Sequence, residues 1–141
     1  MTDVTQANRS FGEICSKPQT QRGHRGARNH LAGLAAEDAV LRTLLARGLT
    51  LDHRRWRCRA GEIDLILRDG GEYVVVEVKA SQTFDDAMAR ITPAQVRRLY
   101  KAAEHFLAQC PEGPFACVRF DAALVDGAGR VEIVESALLP Y

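Results

Sequence analysis

Asp64, Glu77 and Lys79 have the types and the spacing to cut a phosphodiester bond. Glu77 and Lys79 lie two apart, so on a strand their side chains leave the same face. Asp64 belongs to a segment, Gly61 to Leu67, that alternates polar and apolar residues, and Tyr73 to Lys79 is rich in β-branched residues at the same period. Arg68-Asp69-Gly70-Gly71 interrupts the two runs. A two-residue turn at Gly70-Gly71 sets Asp69 opposite Glu72. Counting back along the hairpin then sets Asp64 opposite Glu77 and Glu62 opposite Lys79. Facing Cβ atoms on one side of such a pair sit about 4.5–5.5 Å apart. Two carboxylates that close repel each other unless positive charge stands with them. A divalent metal and Lys79 would supply it.

Phosphodiester hydrolysis asks for a metal that binds the phosphate and lowers the pKa of an attacking water, together with a cation that steadies the transition state. Mg²⁺, or Mn²⁺ in its place, takes hard oxygen ligands and keeps several waters. Asp64 and Glu77 are the expected ligands, with the backbone carbonyl of Val78 as a third. Lys79 is expected to orient the water or to stabilise the pentavalent phosphorane-like state. The same D…E-x-K pattern also arises on solvent-exposed strands, where Glu62–Lys79 ion pairs would be a surface ladder of little worth. Against that reading, Ile63, Leu65, Val74, Val76 and Val78 make an apolar face, and Ile66 and Val75 share the side of the carboxylates. The shared-metal arrangement requires an even-numbered loop; an unbulged three-residue loop would send Asp64 and Glu77 to opposite faces.

Other elements must hold this hairpin. Leu31 to Arg47 reads as an amphipathic helix stopped by Gly48, with Leu34, Leu41, Leu44 and Leu45 as its stripe. Glu37 falls inside the stripe, where it either reaches solvent or an arginine or is aimed at the metal site. Leu49 to Trp56 reads as a strand. Trp56 is either a core residue or a platform for base stacking. Ser81 to Ile91 reads as an irregular segment. Thr92-Pro93-Ala94-Gln95 is a helix start with a capping box and proline in the first turn. Val96, Leu99, Tyr100, Ala103, Phe106 and Leu107 follow at helical spacing, with Arg97, Arg98, Lys101 and His105 on other faces. Phe115–Val125 and Val131–Val134 read as strands around a turn at Asp126-Gly127-Ala128-Gly129. Arg119 and Asp121 share a strand face and read as a structural ion pair. The order predicts a mixed α/β sheet with helices packed on it.

With 141 residues, 46% hydrophobic and 26% charged, the chain fits one globular domain over residues 30–141, preceded by a flexible basic arm over residues 1–29. The arm is either a phosphate-binding tail or a terminus without a role. Net charge is only +1, so binding to nucleic acid has to come from local clusters: Arg22, Arg25 and Arg28; Arg54, Arg55, Arg57 and Arg59; Arg97, Arg98 and Lys101. Of these, Arg55, Arg57, Arg97, Arg98 and Lys101 are the expected phosphate contacts. The four cysteines form no C-x-x-C pair, which favours reduced thiols. No apolar run has transmembrane length and the N-terminus lacks a signal-peptide core, so a cytoplasmic protein away from membranes is expected.

Gly61-Glu62-Ile63-Asp64-Leu65-Ile66, Val76-Glu77-Val78-Lys79 and Arg119-Phe120-Asp121, with Ala36-Glu37 in the early helix and Ile91-Thr92-Pro93 opening the second, resemble the uncharacterised bacterial YraN-like family. The resemblance spans about Gly33 to Leu138. It implies a restriction-endonuclease-like fold, whose nucleases use an Asp…Glu-x-Lys metal site, often with a glutamate from the first helix. Archaeal Holliday-junction resolvases share that fold. By this likeness Asp64, Glu77 and Lys79 match the core of the site and Glu37 matches the helical carboxylate. Two positions depart from the family pattern: Ser81 stands where a basic residue is usual, and Gln95 where many relatives carry lysine. Each removes a phosphate contact. The resulting expectation is a Mg²⁺-dependent DNA endonuclease, with branched or damaged DNA among its candidate substrates and a homodimer as a candidate assembly. The alternative is a non-catalytic nucleic-acid-binding or interaction module that keeps the nuclease fold.

Overall fold

The computed structural model of the chain describes residues 23–140. Helix α1 (Gly23–Ala46) is followed by strands β1 (Thr50–Cys58), β2 (Gly61–Asp69) and β3 (Glu72–Ala80). The short helix α2 (Phe84–Ala89) and the helix α3 (Pro93–Leu107) come next. A 3-10 turn (Gly113–Phe115) leads into β4 (Cys117–Val125) and β5 (Val131–Val134). The sheet runs β1-β2-β3-β4-β5. Its first three strands are antiparallel, β4 is parallel to β3, and β5 is antiparallel to β4. A parallel neighbour needs a crossover, which α2 and α3 provide between β3 and β4.

Each face of the sheet carries one long helix. On one, Ala36, Val40 and Leu44 of α1 pack on Leu65, Leu67, Val74, Val76, Ala123 and Val125. On the other, Val96, Leu99, Ala102, Ala103 and Phe106 of α3 pack on Ile66, Val75 and Phe120. The central strands are therefore apolar on both sides, as β2 and β3 read in sequence. The result is a mixed α/β sheet flanked by helices.

Local chemistry explains the boundaries. Gly48 (φ +95°) closes α1, with its N–H donating to Leu45 and the Leu49 N–H to Leu44. That is a Schellman motif, and Leu44 and Leu49 make its apolar contact. Thr92 caps α3 in a complete capping box, its hydroxyl accepting from the Gln95 N–H while the Gln95 side chain accepts from the Thr92 N–H. Gly70 (φ +62°) and Gly71 form the two-residue turn, with Asp69 opposite Glu72.

Several elements differ from the sequence reading. The backbone of α1 begins at Gly23 rather than Leu31, and residues 1–22 of the expected arm lie outside the described residues. Its buried stripe is centred on Ala36, Val40 and Leu44, whereas Leu45 is 44% exposed. Of the expected leucines, Leu44 is in the buried stripe and Leu41 packs partly buried against it. The segment after β3 contains α2, started by a Thr83 side chain that accepts from the Asp86 N–H. β4 starts at Cys117, and Phe115 is 91% exposed. Trp56 is a core residue, meeting Phe106 edge-on at 5.4 Å, and so offers no platform for a base. No described helix is long and apolar enough to cross a membrane.

Candidate active site

The β2–β3 register is regular from Asp69↔Glu72 back to Leu65↔Val76 and goes no further. The next residues are Asp64 and Glu77. Here the strands part, and the Asp64 carboxylate takes the place of a backbone partner: the Val78 N–H donates to Asp64 Oδ2 at 2.8 Å. The ladder with β1 also has a gap. Arg54↔Leu65 and Trp56↔Ile63 are paired, but the intervening Arg55 and Asp64 are not. Arg55 sits at φ +53°, in the left-handed region that costs a non-glycine residue on the order of 1–3 kcal/mol. Strict alternation fails at the same point. Ile63 and Ile66, three apart, join the same core cluster, although Ile63 was expected on the face of Leu65.

Asp64 and Glu77 line one cleft of about 210 Å³ together with Gly61, Glu62, Gln95, Arg98 and Leu99. Both carboxylates therefore open to one side, although regular pairing with the turn ends before them. Lys79 Nζ lies 3.2 Å from Glu77 Oε1. The expected Glu62–Lys79 pair does not form: Glu62 instead meets Arg57 at 3.3 Å. The strands have separated by that point, so a register counted from the turn no longer sets contacts.

Burial pushes the Asp64 carboxyl up to about 8, and the neighbouring Glu77 adds to the rise; the Val78 N–H opposes it. Burial also raises Glu77, while Lys79 holds it down. Glu37 and Glu62 push both upward, which places four carboxyl groups within one electrostatic neighbourhood.

Glu37 reaches this neighbourhood from α1 without being free. Arg55 Nε donates to its Oε1 at 3.1 Å, and Arg54 Nε lies 3.5 Å away while Arg54 Nη2 donates to Asp38 Oδ1 at 2.6 Å. Among the described residues, no three His, Cys, Asp or Glu side chains gather closely enough to enclose a metal. The donors at hand are the two carboxylates and the backbone. In an extended strand a residue's N–H and C=O point toward the same neighbour, so the carbonyl of Val78 shares the gap its N–H enters.

The residues expected to touch phosphate divide into two groups. Arg55 and Arg57 are engaged with Glu37 and Glu62. Arg97, Arg98 and Lys101 are exposed on α3, and none of the three makes an ion pair among the described residues. Arg98 stands at the cleft beside Gly61, where a Cβ would lie in ordinary contact with that of Arg98 at 3.8 Å. Gln95 also lines the cleft, although its Oε1 is occupied by the Thr92 N–H. The Val78 N–H contact and the left-handed Arg55 were not read from sequence. Alternation predicts an unbroken strand there, and only the adjacent Gly61 hints otherwise.

Sequence comparison sets these residues in a family. The model of the uncharacterised protein family UPF0102 matches residues 36–125, which include every residue of the carboxylate cleft. A UPF0102 protein of Ruegeria pomeroyi is 57% identical over 113 residues, covering 80% of this chain and 92% of its own length. Another, from Roseobacter denitrificans, is 48% identical over 122 residues, covering 86% of this chain and 95% of its own. A third, from Cereibacter sphaeroides, is 49% identical over 112 residues, or 79% and 96% of the two chains. The chain belongs to the UPF0102 family, the YraN-like group that its Gly-Glu-Ile-Asp and Val-Glu-Val-Lys blocks resemble.

Proposed function

We propose that the protein is a metal-dependent endonuclease of restriction-endonuclease-like architecture that hydrolyses phosphodiester bonds in DNA. One observation carries the reading. Asp64 and Glu77 are desolvated side by side where β2 and β3 part, and they open onto a cleft instead of being sealed by an arginine. Such a pair costs stability by itself and is explained by a cation it is built to hold. Hard carboxylate oxygens, a backbone carbonyl and room for water suit Mg²⁺, with Mn²⁺ as a substitute. Asp64, Glu77 and the Val78 carbonyl would hold it. When bound, the metal supplies Lewis acidity toward the phosphate and lowers the pKa of the attacking water.

The chain's own residues do the rest. The Val78 N–H fixes one oxygen of Asp64, leaving the other for the cleft. Lys79 orients Glu77 through its 3.2 Å contact and keeps further N–H donors for water or phosphate. Arg98 brings unspent positive charge to the cleft wall, and Arg97 and Lys101 add exposed charge on the same helix, suited to a phosphate backbone.

The non-catalytic alternative draws on Gln95. It brings no charge to the cleft wall, and its oxygen serves the helix cap. A panel of labelled single-stranded, duplex, flapped and four-way-junction DNA, plus RNA, assayed with Mg²⁺ and Mn²⁺, separates the readings. Cleavage of a DNA substrate, lost in Asp64→Ala and Lys79→Ala, is the expected result. Salt-sensitive binding with no cleavage under either metal would favour the non-catalytic module.

A further inference from the structure

Arg55 is the one non-glycine residue in the described strands with a left-handed backbone, and its position is informative. It would face Asp64 across a regular β1–β2 ladder, since its neighbours pair as Arg54↔Leu65 and Trp56↔Ile63. Facing residues share a side of the sheet, so a regular strand would set a guanidinium against Asp64. Instead, its Nε bonds Glu37 Oε1 at 3.1 Å. The Glu37 side chain is 13% exposed and that of Arg55 is 32% exposed. The carboxylate is thus enclosed, while its arginine remains within reach of a ligand from solution. Arg54 stands behind the pair at 3.5 Å from Glu37, with Asp38 at 2.6 Å as a second acidic partner.

The contact engages both groups in the free protein. Glu37 is close enough to raise Asp64 and Glu77, yet it is tied to a cation that is not in the cleft. A phosphodiester is the natural competitor for this arginine, because its paired oxygens accept the same forked N–H donors as a carboxylate. Arg55 drawn to phosphate would release Glu37, and Glu37 drawn to a metal would release Arg55. By linkage each event favours the other.

Resting on the proposed metal site, we propose that Arg55 is a positioning residue that withholds Glu37 from the Asp64–Glu77 cleft until a phosphodiester takes the carboxylate's place. Glu37 then joins the metal ligands only on the substrate complex. This couples assembly of the site to the presence of a nucleic-acid backbone.

The test is calorimetric titration of Mn²⁺ alone into wild type, Arg55→Gly, Glu37→Gln, the double variant and Asp64→Asn, with thermal unfolding measured alongside. Glycine accepts the left-handed backbone, so Arg55→Gly is expected to fold. It should bind Mn²⁺ several-fold more tightly than wild type, because Glu37 loses its hydrogen-bond donor and keeps only the longer 3.5 Å contact to Arg54. That gain should vanish when Glu37→Gln is added. A gain that persists in the Glu37→Gln background would be the general effect of removing positive charge and would overturn the proposal. So would unchanged or weaker binding by Arg55→Gly. If Asp64→Asn abolishes binding while Arg55→Gly matches wild type, the metal site stands and only the role of Arg55 fails. If wild type binds no Mn²⁺, or Asp64→Asn binds as wild type does, both fall.

Discussion

Two aspartates on neighbouring parts of one sheet are treated in opposite ways. Asp121 on β4 is fully buried and fully answered: Arg119 Nε bonds both its oxygens at 3.0 and 3.1 Å, and the Ser136 N–H donates at 2.9 Å. Arg119 in turn meets Glu72 at 3.2 Å and Asp69 at 3.6 Å. Asp64 on β2 is half-buried, has one N–H donor, and stands beside a second acid. Burial raises both carboxyls, but Arg119 holds Asp121 down while Glu77 drives Asp64 further up. The first arrangement stabilises a fold. The second costs stability and leaves a cleft open, as the proposed metal site requires.

The comparison can be broken most severely at Arg119. Replacing it by methionine strands Asp121 as an uncompensated buried charge, and a loss of about 3–5 kcal/mol is expected in chemical denaturation. A loss under about 1 kcal/mol would mean that the network is surface decoration.

The opposite sign is expected at the other aspartate. Asp64→Asn removes a carboxyl that is disfavoured in the fold, so the metal-free protein should melt roughly 3–6 °C higher at neutral pH. The pH dependence follows from the direction of the shift. A carboxyl whose folded pKa exceeds its unfolded value binds its proton more tightly when folded, so stability falls as pH rises from near 3.8 toward about 8. Melting temperatures of the metal-free wild type should decline across that window, and Asp64→Asn should flatten the decline. A variant with the same slope as wild type would remove Asp64 from this role.

The smallest effect concerns the α3 wall of the cleft. Thr92→Ala deletes the hydroxyl that accepts the Gln95 N–H and should cost about 1 kcal/mol in denaturant unfolding. That is the ordinary value of a cap, and it would show that Gln95 and Arg98 stand on conventional scaffold. A much larger loss would mean that α3 is coupled to the carboxylates beyond its packing.

How much could be read beforehand follows the same division. The Gly70-Gly71 turn, the Thr92 capping box and the Gly48 stop are local signals, and each sits where its residues indicate. The Arg119–Asp121 pair was legible because two residues on one strand face meet whatever the rest of the fold does. Asp64 and Glu77 line one cleft as the hairpin count suggested, although the paired register stops one step short of them. What escaped was the parting of β2 from β3 and the turned backbone at Arg55, since both break the alternation on which strand reading depends. The α1 stripe was right at Leu44, partly so at Leu41, and wrong at Leu45 for a different reason. Leucine marks hydrophobicity, but the small side chains of Ala36 and Val40 decide which face meets the sheet. Glu37 could not be resolved from pattern, because its partners lie in another element.

The most direct measurement is Mn²⁺-dependent cleavage of labelled DNA by wild type beside Asp64→Asn, with both proteins confirmed folded by thermal unfolding. Expected is cleavage by wild type and none by a variant at least as stable. Equal cleavage by the two proteins would contradict the central claim that the Asp64–Glu77 pair is the seat of the chemistry.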